Sequence, residues 1–253
     1  MTRRRTAHHW CTIGGRTHGN AAPITLSPIG AEALDDPTTE PALVRRMLAD
    51  IARCNRWLGG TAAMRYGLAR LLEPSDRGQS LTLFDIGTGG ADLPRAAQRW
   101  ALRRGVLLRP LALERIRAAA AVARDHGVPT ILGCAGSLPL RAKSVDVVLV
   151  SQVAHHLDRA SVIRLFAAGT QLARRGVVVA DLHRRWFAVP AFRAAGAVLG
   201  LHATTIADGV TSVRRGYSIG ELRALCDAAG VANASVAATL GARIVASWRT
   251  DGR

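Results

Sequence analysis

The stretch Leu81-Thr-Leu-Phe-Asp-Ile-Gly-Thr-Gly-Gly-Ala-Asp-Leu-Pro94 decides how the rest of the chain is to be folded. Leu81, Leu83, Phe84 and Ile86 make an apolar run of strand length. Gly87, Gly89 and Gly90 follow where a side chain would keep a ligand away from the backbone. Pro94 suits the first turn of a helix, where a missing N–H costs little. A strand, a glycine turn and a helix start aim free N–H groups and the positive end of a helix dipole at whatever lies above the sheet edge. That arrangement suits a nucleotide-like ligand with an anionic group. The dinucleotide fingerprint G-x-G-x-x-G is met at Gly87 and Gly89 but not at Asp92.

Working outward, strand and helix alternate. After the loop comes a helix to about residue 103, then the strand Val106-Leu-Leu-Arg-Pro-Leu-Ala-Leu113, which ends at Glu114. An acid at that tip, 25 residues beyond Gly89, can accept hydrogen bonds from a ribose diol. A helix to about His126, a strand at 129–132 and a loop at 133–140 lead to Ser144-Val-Asp-Val-Val-Leu-Val150, apolar enough for a sheet covered on both faces. Asp158 is placed to cap a helix over 159–175 that Gly176 stops, and a strand at 177–180 delivers Asp181-Leu-His183. Gly169 lies on the apolar face of that helix, where it admits a neighbouring backbone. Ser218-Ile-Gly-Glu221 is a capping box, and strands near 234–239 and 242–248 close the sheet as an antiparallel pair. The fold class is therefore α/β, a doubly wound, mostly parallel sheet with helices on both faces and ligands at its carboxyl edge.

Upstream, residues 1–27 carry arginines without an acid and no sustained period, and are expected to be a mobile basic tail. Regular structure is expected from about residue 39. Leu43, Val44, Met47, Leu48, Ile51, Cys54 and Leu58 recur at helical steps, and a second helix over 62–72 completes an N-terminal helical cap over 28–78. The sheet domain follows over 79–253, with an insertion at about 184–216. Within it, residues 187–201 are apolar on most sides and too short to span a bilayer. They form either a lid over a hydrophobic substrate or a homodimer face.

The formal charge of +16 invites a nucleic-acid partner. The arginines, however, are spread over every predicted helix, so a solvated basic surface is the first reading, with RNA or an anionic substrate as the alternative. The four cysteines, Cys11, Cys54, Cys134 and Cys226, lack metal-ligand spacing. They read as reduced thiols of a cytoplasmic protein, and no metal site is expected.

With these pieces in order, the chain resembles the class I S-adenosylmethionine-dependent methyltransferases. Within them it is similar to the branch acting in ubiquinone and menaquinone biosynthesis. The matching motifs are Phe84-Asp-Ile-Gly-Thr-Gly-Gly-Ala91, Glu114, the 133–140 loop, Ser144-Val-Asp-Val-Val-Leu-Val150 followed by His155-His156-Leu157, and Arg175-Gly-Val-Val-Val-Ala-Asp181. Asp85, Gly87 and Gly89 match D-x-G-x-G-x-G, with Ala91 at its last position. The resemblance implies a Rossmann-like fold and S-adenosylmethionine as cofactor. Asp85, Gly87, Thr88 and Gly89 would receive the methionine part, Glu114 the ribose, and Cys134, Ala135 and Gly136 the adenine, with Ser151 completing the set. Cys134 stands where the family usually has an acid, and a thiol is a poor acceptor.

Methyl transfer from a sulfonium mainly needs alignment in a dry pocket. A phenol or acidic carbon also needs a base, and His155, His156, Asp181 and His183 are the candidates at the carboxyl edge. The expected acceptor is a small hydrophobic aromatic, quinone-like or polyketide-like molecule, methylated at oxygen or carbon. An RNA methyltransferase and a cofactor-binding protein without turnover are the rivals. Against an adenine-modifying enzyme, Ser151-Gln-Val-Ala154 stands where Asn/Asp-Pro-Pro-aromatic would be.

Overall fold

The computed structural model describes residues 27–250, together with 12–13 and 16–17. The last two pairs form a small antiparallel ladder, β1 (Thr12–Ile13) and β2 (Arg16–Thr17). The rest of the expected tail up to residue 26 lies outside the described residues. The main sheet is built from β3 (Ser80–Ile86), β4 (Leu107–Glu114), β5 (Thr130–Leu132), β6 (Val145–Ser151), β7 (Ala173–Leu182), β8 (Ser235–Thr239) and β9 (Arg243–Arg249). Their order is β5-β4-β3-β6-β7-β9-β8. All pairings are parallel except those of β9, which runs antiparallel to β7 and β8. The order reverses beside β3, and that crevice is where such sheets bind ligands.

The helices are α1 (Pro41–Trp57), α2 (Gly60–Ala69), α3 (Asp92–Leu102), α4 (Arg117–Asp125), α5 (Arg159–Leu172), α6 (Ala188–Val198), α7 (Ala203–Arg215) and α8 (Ile219–Ala228). Strand alternation divides the core between two faces. Phe84, Val148, Val150, Val177 and Val179 pack against α5 and α8. Leu83, Val147, Leu149 and Val178 pack against α2 and α3. Phe84 and Leu149 are fully buried, each worth about 1.5–3 kcal/mol relative to exposure. α2 lies directly on the sheet, because Gly67 has no Cβ to strike Val178 Cγ1, which would be 2.3 Å away.

The structure departs from the sequence expectation at five places. Three of them concern boundaries and a missed helix. The spacing carries one helix to residue 175, yet α5 ends at Leu172 and β7 begins at Ala173. Gly176 is therefore not a helix stop but a strand residue, where a Cβ would sit 2.4 Å from the Trp248 carbonyl oxygen. α7 has no counterpart in the sequence reading. Ordered structure also begins before residue 39: a 3-10 turn at Ala33–Asp35 brings buried Glu32 under α7, where it accepts from Ser212 Oγ at 2.8 Å. The fourth concerns the thiols: Cys54 and Cys226 are free and buried, but Cys134 is disulfide-bonded. Among the described residues no helix is long and apolar enough to cross a membrane.

Gly169 does not admit a neighbouring backbone. A Cβ built there meets only side chains, at 3.6 Å from Val148 Cγ1 and 3.8 Å from Val177. Alanine fits without strain, so Gly169→Ala should stabilise the protein by about 0.5–1 kcal/mol, a rise of roughly 2–4 °C in Tm. A thermal melt that falls instead would show that this face has no room.

Candidate active site

A cavity of about 560 Å³ lies over the carboxyl ends of the central strands, a size typical of small-molecule sites. Its floor is the loop from Asp85 to Gly90 with Glu114 and Ser151; α1, α6 and α7 contribute its roof. Gly87 has φ +74°, and a Cβ on it would lie 2.4 Å from Val153 Cγ2. Gly89 has φ +54° and faces Leu48. Ala91 holds the left-handed conformation at φ 59° as the residue before α3. The bare loop thus leaves backbone N–H groups open to the cavity, as a bound nucleotide requires.

Glu114 braces this loop. One carboxylate oxygen accepts from Gly89 N–H at 2.8 Å, the other from the N–H groups of Arg115 (2.7 Å) and Ile116 (2.8 Å). A lone pair remains on the oxygen that accepts from Gly89, open to a sugar hydroxyl. Asp85 is buried at the end of β3 with Oδ1 unbonded. Burial, with the carboxylates of Asp92 and Glu114 adding to it, pushes its pKa up to about 7. An orphaned buried carboxyl oxygen beside a bare glycine turn is what the ammonium end of S-adenosylmethionine would satisfy, so the residues present fit that cofactor.

A hydrogen-bonded chain borders the same loop. Asn55 Nδ2 donates to Asp92 at 3.0 Å, Gln152 Nε2 to Asn55 Oδ1 at 2.7 Å, and Arg243 Nη1 to Gln152 Oε1 at 2.6 Å. Arg243 Nε also donates to the Leu58 carbonyl, tying β9 to the end of α1. These bonds hold Gln152 at φ 55°, an uncommon conformation for a residue with a side chain.

Across the cavity, His155 Nδ1 lies 2.6 Å from Asp181 Oδ1, both side chains buried. Burial alone would raise the Asp181 pKa, but the His155 ring and the Leu182 N–H outweigh it and hold the carboxyl below its usual range. Asp181 therefore fixes the tautomer with the proton on Nδ1. Nε2 is then a lone-pair acceptor, buried and without a partner, in a side chain that lines the cavity.

His156 lines the cavity as part of an ionic lock. Its Nδ1 is 3.0 Å from Asp35 Oδ1, and its Nε2 is 3.8 Å from Glu32 Oε2. Arg215, nearly fully buried, donates to Glu32 at 3.0 Å, to Asp35 at 3.4 Å, and to the carbonyls of Ile29 and Gly30. Burial works against a charged His156, yet its hydrogen bond to the Asp35 carboxylate and the charge of Glu32 raise its pKa. Glu32, His155 and His156 offer ligand-type atoms within 4.8 Å of one another. Arg215 and Ser212 both donate to Glu32 Oε1, and Oε2 faces His156, so this carboxylate is engaged in the ionic lock. His183 also faces the cavity, its pKa lowered by burial and by Arg185.

Of the residues predicted from sequence, Asp85, Gly87, Thr88, Gly89, Glu114, Ala135, Ser151, His155, His156 and His183 meet in this cavity. Three do not. Cys134 packs into the core under α5, Gly136 opens into a separate recess, and Asp181 stands behind His155. Sequence reasoning missed Glu32, Asp35, Asn55, Gln152, Arg215 and Arg243. Only Gln152 carried a signal, one residue past the end of an apolar strand.

A methyltransferase domain family matches residues 84–180, the span from the glycine loop to the end of β7. No curated protein sequence matches the chain. Among solved structures it is similar to an S-adenosylmethionine-dependent methyltransferase from Aquifex aeolicus (TM-score 0.56, 12% identity, 83% of this chain and 98% of that one). It is likewise similar to human N-acetylserotonin methyltransferase in complex with S-adenosylmethionine (0.57, 12%, 83% and 56%). Magnesium protoporphyrin IX methyltransferase from Synechocystis, with bound S-adenosylhomocysteine, is a third (0.52, 11%, 76% and 83%). With the domain match lying over the strand order and the bare glycine loop described above, the chain carries a methyltransferase domain over residues 84–180, on the Rossmann-like fold shared by S-adenosylmethionine-dependent methyltransferases.

Proposed function

We propose that the chain methylates a phenolic or enolic hydroxyl on a small apolar acceptor, aromatic, quinone-like or polyketide-like, with His155 as general base. The observation that carries this reading is the buried, partnerless Nε2 of His155, whose other ring nitrogen is pinned by Asp181. S-adenosylmethionine supplies a methyl group on a cationic sulfur, already activated toward attack. Asp85, Gly87, Thr88 and Gly89 hold its amino-acid end, Glu114 its ribose, Ala135 its adenine, and Ser151 stands beside the loop. The acceptor lies between that loop and His155, under Phe192 and Ala195 of α6. Nε2 takes the hydroxyl proton as the oxygen attacks, and the Asp181 carboxylate stabilises the imidazolium that forms. The products are a methyl ether and S-adenosylhomocysteine.

Incubation with S-adenosylmethionine and a panel of phenols, quinols and 1,3-diketones should yield singly methylated products with equimolar S-adenosylhomocysteine. Methylation of amines or RNA alone, or no turnover on any of these, would overturn the reading.

The Asp85 carboxyl gives the reading a pH signature. Its pKa near 7 reflects burial without a counter-charge, and an ammonium placed beside it favours the ionised form. Binding therefore releases a proton when the pH is below about 7. Affinity for S-adenosylhomocysteine should rise as pH is raised from 5.5 toward 7 and flatten above it, about tenfold per pH unit at the steepest. Calorimetry in buffers of different ionisation enthalpy measures the released proton directly. In Asp85→Asn the pH dependence should vanish along with most of the affinity.

A further inference from the structure

The outer surface of α6 takes no part in the site beneath it. Pro190, Ala194, Ala197 and Val198 are exposed at i, i+4, i+7 and i+8, one continuous apolar stripe. Trp186, 90% exposed, stands just ahead of the helix, edge-on to Phe187 at 5.6 Å, and Val198 at its far end is 87% exposed. From Leu182 to Ala207 the chain carries three arginines and no acid. Arg184 is neutralised by Glu221 at 2.6 Å, but Arg185, stacked on Phe187, and exposed Arg193 form no ion pair among the described residues. Both ends are anchored. The Trp186–Phe187 segment runs into Ala188, which packs against Leu182 and Val213, and Arg53 Nη1 donates to the Leu199 carbonyl at 2.7 Å. Underneath, Phe192 lies against Gly209 of α7, where a Cβ would be 2.2 Å from its ring.

We propose that this face docks on an anionic lipid bilayer, α6 lying in the interface with Trp186 and Val198 inserted. An apolar stripe flanked by an exposed tryptophan and unpaired arginines, on a helix too short to span, is the pattern of an interfacial anchor. Charge selects the partner: arginines with no acid over 26 residues match phosphate headgroups better than a second copy of the same basic surface. The inner face of the same helix lines the cavity, so an apolar acceptor dissolved in the bilayer would enter beside it.

Flotation of the full-length protein with vesicles tests this without turnover, so its failure leaves the methyl-transfer reading untouched. The protein should partition onto vesicles of equal parts phosphatidylcholine and phosphatidylglycerol, more weakly at high salt, and not onto pure phosphatidylcholine. Trp186→Ser combined with Val198→Ser should reduce partitioning at least about tenfold while leaving affinity for S-adenosylhomocysteine unchanged. Arg193→Glu should weaken binding to the anionic vesicles alone. Equal flotation of the double variant, no flotation of the native protein, or a dimer in sedimentation that the double variant abolishes would overturn the proposal.

Discussion

Replacing His155 by alanine should lower kcat about 100- to 10,000-fold while leaving affinity for S-adenosylhomocysteine within about threefold. Nδ1 of this ring is held by Asp181 at 2.6 Å, and Nε2 is left with a lone pair in a dry place. Taking that group away removes the proton acceptor but touches neither the glycine loop nor Glu114. The loss should therefore appear in kcat. His155→Gln separates base from filler, because glutamine restores volume and a hydrogen-bonding group but does not accept a proton at neutral pH. A variant that keeps more than a third of the native rate would sink the assignment. Single-turnover rates with a known acceptor are the decisive measurement.

Gly87→Val should abolish cofactor binding, weakening S-adenosylhomocysteine by at least about 100-fold, with the circular dichroism spectrum retained. A valine at φ +74° is strained by one to a few kcal/mol before any contact is considered. Its Cβ would then lie 2.4 Å from Val153 Cγ2, which is held in the core under α5 and cannot retreat. The loop must shift instead, and with it the Gly89 N–H that Glu114 now accepts. The fold survives because β3 is paired on both sides over its buried residues. Calorimetry that finds native affinity would remove the loop from the site.

Most of the sheet is legible in the sequence because its strands announce themselves locally. Ser144-Val-Asp-Val-Val-Leu-Val150 is apolar on both faces, and Ser218 and Glu221 make their reciprocal cap as written, Ser218 Oγ accepting from Glu221 N–H at 3.2 Å. The join of α5 to β7 is not legible, because Ala173 to Arg175 suit either element and only pairing with β6 decides. In the site, the loop and Glu114 are visible as a spacing. The ionic lock is not, since Asp35 and His156 stand 121 residues apart and Glu32 and Arg215 stand 183 apart. Nothing local marks Glu32 or Asp35, in a segment with no helical period ahead of α1. Arg243 was hidden for a different reason: one arginine among many in a basic chain looks like solvated surface until β9 is paired.

The buried Arg215 makes the stretch just before α1 a structural necessity. A shortened protein beginning at Pro41 would strip that guanidinium of two anionic neighbours and two carbonyl acceptors at once, leaving a naked cation in the roof. Losing the anionic partners of a buried charge costs about 3–5 kcal/mol, a large share of what holds a domain of this size together. Biochemists trimming the molecule back to its first regular helix should therefore expect insoluble material, whereas cutting after residue 26 spares every one of those contacts.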